Sequence, residues 1–208
     1  MDLFSVRAVL LDMDGTLVES DAAVERAWVT WAREYGIAPA ATLGLAHGNP
    51  SLRTARILLP GLDDAAVRAA AQRQLDLQYD DLSDVHAARG AGEVLTVLAR
   101  RGLPWGVVTS ADRRLAGARL DAAGIRAPVL VTVEDVAHGK PDPEGYLLAA
   151  RRLGVEPAVC LVVEDSEPGI AAGRSAGMVV ASLRGLPGDL VLADLGELAG
   201  LLDGRVAT

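Results

Sequence analysis

Residues 6–11, an apolar run broken only by Arg7, lead straight into Asp12-Met13-Asp14-Gly15-Thr16. This junction constrains the fold more than any other segment. A short run rich in Val and Leu reads as a buried strand, the first of a parallel sheet. Two carboxylates two residues apart then stand at the strand's carboxyl end, followed by a glycine turn. In open α/β sheets that edge is where ligands bind. Two acids so close repel one another and are costly to bury unpaired. A divalent cation or a shared proton-transfer task would hold them there. Taken alone, Asp14-Gly15 also reads as a plain turn and Thr16 as a helix cap.

Four further apolar runs read as strands: residues 105–109, 129–133, 159–163 and 179–181. Helical spacing separates the later ones, over 113–123 and 143–153. Alternating strand and helix predicts an α/β fold, a Rossmann-like parallel sheet with right-handed crossovers. The long gap after the first run is different. From about residue 20 to 85 only helical patterns occur, over 21–35, 51–59 and 63–79, before a crossover helix over 91–101. The expected organisation is a Rossmann-like core of residues 1–17 and 88–208, with a helical cap domain inserted at 18–87. No fixed-period repeat or low-complexity tract interrupts it.

The 208 residues suffice for one sizeable α/β core and a small accessory domain. A net charge of −8 disfavours binding to nucleic acid or to an anionic membrane. It leaves room for an anionic substrate, because a metal ion reverses the sign locally. No stretch nears the roughly 18 apolar residues of a membrane span, and Met1-Asp2 lacks the basic start of a secretory signal. The expectation is therefore a reducing, cytoplasmic setting. Cys160, the single cysteine, lies inside an apolar run and is expected in the core, with no disulfide framework.

Asp-x-Asp-Gly-Thr after a strand resembles the first motif of the haloacid dehalogenase-like phosphohydrolases. The remaining motifs follow in that family's order: Thr109-Ser110, then Gly139-Lys140-Pro141-Asp142-Pro143, then Glu164-Asp165-Ser166. The resemblance covers nearly the whole chain, including a cap inserted directly after the first motif. It implies that Asp12 is the nucleophile, forming an aspartyl phosphate, and that Mg2+ offsets its repulsion from phosphate. Asp14 is then the general acid and base, and its backbone carbonyl a metal ligand. Thr109 and Ser110 hold phosphoryl oxygens at a strand end, where hydroxyls and amides make an anion site. Taken alone, the same hydroxyls read rather as the ordinary cap of the next helix, and both roles can hold together. Lys140, fixed by the prolines beside it, would keep Asp12 ionised and neutralise phosphate charge. Asp165 completes the metal ligands, with Glu164 behind it holding a metal-bound water. Ser166 caps the helix over 168–176.

The motifs look most like the branch of β-phosphoglucomutases and small sugar or polyol phosphatases. The mutases carry a histidine where this chain has Val24, and a phosphate-binding arginine where it has Ser51. Both departures argue for hydrolysis, unless Arg53 or Arg56 compensates. His47-Gly48-Asn49-Pro50 is similar to the cap loop of sugar and glycerol phosphatases, which makes His47, Gly48 and Asn49 candidate substrate contacts; a bare loop between helices is the competing reading. Trp28 and Trp31 are expected in the cap core, and His86 and His138 in surface loops. The expected partner is a small phosphorylated substrate, and the expected state of the protein is a monomer. The alternatives are a phosphoglycolate or glycerol phosphate phosphatase, a phosphosugar mutase and a phosphoaspartate receiver-like signalling domain. A dehalogenase is disfavoured by Asp14 and Asp165, and a catalytically dead binding protein by the full set of key side chains.

Overall fold

The computed structural model describes residues 5–46 and 50–204. The chain divides into two compact units, one of Met1–Glu19 with His86–Thr208, the other of Ser20–Val85.

The larger unit is built on a parallel sheet of six strands. They are β1 (Ala8–Leu11), β4 (Trp105–Val108), β5 (Leu130–Val131), β6 (Cys160–Glu164), β7 (Val179–Ser182) and β8 (Leu190–Val191). Their order across the sheet is β5-β4-β1-β6-β7-β8. The five apolar runs all lie in this sheet. Every residue of β1 and β6 is buried, as expected of central parallel strands covered on both faces. On one face, Leu10, Val108, Val131, Val162 and Val180 pack with Tyr146, Ala149 and Ile170. Those last three come from α7 (Glu144–Leu153) and α8 (Glu167–Ser175). Cys160 is fully buried in this cluster, and burial pushes its thiol up to about 11.

The chain leaves β1 for β4 on one side and later crosses to β6 on the other. The carboxyl ends of β1, β4 and β6 thus flank a topological switch point, where α/β sheets open a crevice. Register places the motifs there. Leu11 pairs with Val107 on one side and Val163 on the other, so Asp12, Val108 and Glu164 stand at one level.

Three short strands carry no readable period. Val18–Glu19 (β2) pairs antiparallel with His86–Ala87 (β3), which puts His86 in a strand rather than a loop. The third is β8. Thr16 caps no helix: residues 13–18 form a tight turn with Leu17 N and Val18 N bonding to Met13 O at 2.9 and 2.8 Å. The first helix, α1 (Asp21–Glu34), begins only after Ser20.

The smaller unit holds α1, α2 (Pro39–Ala46), α3 (Ser51–Leu58) and α4 (Asp64–Tyr79). Its core is Trp28, Trp31, Ala32, Ala55, Val67, Ala70 and Ala71. Trp28 and Trp31 meet edge to face at 5.2 Å, and Trp31 Nε1 donates to Ala70 O at 2.7 Å. The tryptophan pair is therefore core. The larger unit also holds α5 (Ala91–Arg101), α6 (Arg113–Ala122) and a terminal α9 (Leu195–Leu202). Among the described residues no helix is long and apolar enough to cross a membrane.

Candidate active site

Lys140 is the hub of the sheet edge. Its ammonium donates to Asp12 Oδ1, to Glu164 Oε1 at 2.6 Å and to Val108 O at 3.0 Å. Three acceptors match the three protons of an ammonium, so its position is fully determined. Its side chain is 7% exposed. Burial alone would lower its pKa, but Asp12 and Glu164 more than reverse this and hold it protonated. Lys140 does not sit at a strand end. It comes nine residues after β5, in the loop before α7, and Pro143 at that helix's N-cap fixes the approach.

Glu164 has no solvent exposure. Its Oε1 also accepts from Tyr146 OH at 2.8 Å. Its Oε2 accepts from Asp165 N, Ser166 N and Ser166 Oγ at 3.1, 3.2 and 2.9 Å. A carboxylate so fully engaged by protein donors acts as a scaffold for its neighbours. Ser166 also caps α8, accepting from Gly169 N at 3.2 Å.

Asp12, Glu164 and Asp165 each bring a carboxylate oxygen within 4.8 Å of the others. Burial pushes the Asp12 carboxyl well above its ordinary range, against the pull of Lys140 and with the push of Glu164 and Asp165. Arg184 Nε lies 2.9 Å from Asp165 Oδ2 as an ion pair, and Thr16 Oγ1 donates to Asp165 Oδ1 at 3.4 Å. Gly15 makes this closeness possible. Its φ is +78°, and a Cβ there would fall into the Asp165 carboxylate and the Arg184 guanidinium. Three crowded carboxylates form an all-oxygen donor set, the kind a hard divalent cation takes. Glu164 has no exposure, whereas the Asp12 and Asp165 side chains are 11% and 13% exposed, so these two are the ones suited to hold one.

Asp14 is two residues from Asp12, but its carboxylate is drawn elsewhere. Arg119 Nη1 lies 2.7 Å from Asp14 Oδ2. Arg119 carries only a faint signal in the sequence, a charge at an apolar position of a helix. Thr109, 6% exposed, follows β4. Its hydroxyl accepts from Ala111 N at 3.1 Å. It caps no helix: α6 starts four residues later, capped by Asp112, which accepts from Leu115 N at 2.8 Å. Ser110 lies beside Thr109 in the same loop.

His47, Gly48 and Asn49 lie outside the described residues. Within the helical unit, Val24 packs against the tryptophan core. The Ser51 hydroxyl donates to the buried Gln74 side chain. Arg56 pairs with Asp64 at 2.7 Å, and Arg53 is exposed. His138 is an exposed loop residue beside Glu144.

Residues 6–177 match the family described as haloacid dehalogenase-like hydrolase. Hexitol phosphatase A of Escherichia coli K12 is 41% identical over 172 residues, covering 82% of this chain and 80% of that protein. The 2-deoxyglucose-6-phosphate phosphatase 1 of Saccharomyces cerevisiae is 31% identical over 211 residues, 93% of this chain and 86% of its own. A crystal structure of β-phosphoglucomutase from Clostridium difficile superposes with a TM-score of 0.84 at 17% identity. It covers 96% of this chain and 98% of that one, a likeness of fold alone.

Proposed function

The chain belongs to the haloacid dehalogenase-like hydrolases, and on that footing we propose that it is a phosphatase releasing phosphate from a small sugar or polyol phosphate. The observation that carries this reading is the convergence of Asp12, Lys140, Glu164 and Asp165 at the carboxyl ends of β1 and β6. The identity to a hexitol phosphatase points to the substrate class.

In this reading an Asp12 carboxylate oxygen attacks phosphorus and the ester P–O bond breaks. Asp14 gives its proton to the departing alkoxide oxygen. The product is an aspartyl phosphate on Asp12. Asp14, now ionised, takes a proton from water as the water oxygen attacks phosphorus. Inorganic phosphate leaves and Asp12 is restored. Lys140 neutralises charge on the transferring group from a fixed position, at no reorganisation cost. Thr109 and Ser110 hold phosphoryl oxygens at the end of β4. Asp12, Asp165 and the Asp14 backbone carbonyl would hold Mg2+, which supplies Lewis-acid stabilisation of the phosphoryl group.

The helical unit Ser20–Val85 is read as the cap that selects the leaving group, with His47, Gly48 and Asn49 as its contacts. Hydrolysis is favoured over transfer between sugar hydroxyls. A mutase needs a second phosphate site. Here Val24 is committed to an apolar core and Ser51 to Gln74. Membership of a hydrolase family sets aside a receiver domain.

The test is phosphate release with Mg2+ over a panel of hexitol, hexose and glycerol phosphates, phosphoglycolate and p-nitrophenyl phosphate. Hexitol or hexose phosphates should lead. Preference for phosphoglycolate or glycerol phosphate would move the assignment to those substrates. No release from any ester would overturn the phosphatase reading.

A further inference from the structure

Arg119 sits where a leucine would be expected. The buried side chains of α6 are Leu115, Ala116, Arg119 and Leu120, one apolar stripe at helical spacing. The Arg119 side chain is 2% exposed, so its head does not escape to water as arginines at such positions normally do. Taking a guanidinium out of water is expensive. A buried ion pair exchanged for well-packed apolar groups often leaves stability unchanged or raises it. Stability therefore does not account for the charge. Its partner does: Asp14 Oδ2 is 2.7 Å from Arg119 Nη1, and the Asp14 side chain is still 28% exposed.

We infer that Arg119 is a positioning residue, anchoring the Asp14 carboxyl from the helix behind it so that proton transfer to the leaving oxygen starts from one fixed side-chain geometry. The inference rests on the phosphatase reading, in which Asp14 is the acid and base. An unanchored aspartate at a loop after β1 would sample several rotamers, and only one would meet the leaving oxygen. Holding one oxygen of the carboxyl on a rigid helix removes that search before substrate arrives. The anchor comes from the sheet-bearing unit itself, since β1, the 13–18 turn and α6 all belong to it.

A leaving-group comparison separates positioning from general structural support. An alkyl phosphate needs its leaving oxygen protonated, whereas p-nitrophenolate departs as a stable anion. General acid catalysis is worth about a hundredfold or more where it is needed. The experiment measures kcat/KM for the best alkyl ester of the panel and for p-nitrophenyl phosphate, in wild type, Arg119→Met, Asp14→Asn and the double variant, with melting temperatures alongside. Arg119→Met should lose at least about tenfold more on the alkyl ester than on the aryl ester. In the Asp14→Asn background the same change should leave the alkyl-to-aryl ratio unmoved, because the two residues act as one unit. Arg119→Lys keeps a cation in the pocket and should recover part of the ratio; it also carries the test if the methionine variant folds poorly. Equal losses on both esters, or a ratio change that persists without Asp14, would overturn the inference while leaving the phosphatase reading intact. A wild-type protein inactive on both esters would overturn that reading, and the inference with it.

Discussion

Gly169 faces the Glu164 carboxylate so closely that a Cβ at position 169 would overlap both of its oxygens. The first turn of α8 thus forms one wall around the acid that holds Lys140. Glu164 in turn receives Tyr146 from α7 and the Asp165 and Ser166 amides from its own loop. Two helices and a strand end converge on one side chain, and through it fix the ammonium beside Asp12.

Gly169→Ala should therefore damage the site from behind. The methyl group must displace Glu164 or shift the start of α8. Overpacking of this kind costs about 1–3 kcal/mol, and a displaced Glu164 releases Lys140. A lower melting temperature with a loss of phosphate release beyond about tenfold is expected. Wild-type stability and turnover in the purified variant would show that the contact has slack.

Asp135 gives a prediction in pH. Although burial pushes its carboxyl up, bonds from Arg152 at 2.7 Å and from Thr132 N and Oγ1 at 2.9 and 3.0 Å outweigh this and hold it below the usual range. A folded pKa below the unfolded one gives stability that is present above the unfolded value, about 3.9, and is lost as pH falls through the folded value. Asp135→Asn should cost about 1–2 kcal/mol at pH 7, and the gap to wild type should narrow between pH 4 and pH 3. Urea unfolding at pH 7, 4 and 3 measures it. A gap that widens toward pH 3 would reverse the sign argued here.

Much of the sheet is legible in the sequence because central parallel strands are continuous apolar runs. β1, β4, β5, β6 and β7 all announce themselves in this way. β2, β3 and β8 have two residues each, as β5 does, but stand outside the five apolar runs and offer no period to read. Pairing of Val18 with Ala87 spans the whole helical insert, so no local pattern records it. The hydroxyls of Thr109 and Ser110 suggest a cap for α6, but they lie too early in the chain to provide it. Asp112 takes the role, standing three residues before an available amide at Leu115. Arg119 is hard to read from sequence because an arginine in a helix is ordinarily solvated. Only the folded chain brings its guanidinium to 2.7 Å from Asp14 Oδ2.

Removal of divalent metal should abolish activity, and Mg2+ should restore it. Asp12, Glu164 and Asp165 share the charges of Lys140 and Arg184, and a further cation would keep all three ionised together. Ca2+ takes looser, higher coordination and should inhibit. Phosphate release measured after exhaustive EDTA treatment decides the point: full activity without metal would contradict the assignment of Asp12, Asp14 and Asp165.

Hydrolysis should dominate over isomerisation. With β-glucose 1-phosphate and trace glucose 1,6-bisphosphate, 31P NMR should show inorganic phosphate growing and little glucose 6-phosphate. Rapid accumulation of glucose 6-phosphate without free phosphate would restore the mutase and demand a second phosphate site despite Val24 and Ser51.

The central claim is that Asp12 attacks phosphorus. Asp12→Asn keeps volume and removes the attacking charge, so fold and melting temperature should survive. The most direct measurement is Mg2+-supported phosphate release from the best substrate by wild type and Asp12→Asn, both checked for native circular dichroism. A loss above about a thousandfold is expected, as for removal of a nucleophile. Turnover by the variant within about tenfold of wild type would contradict it.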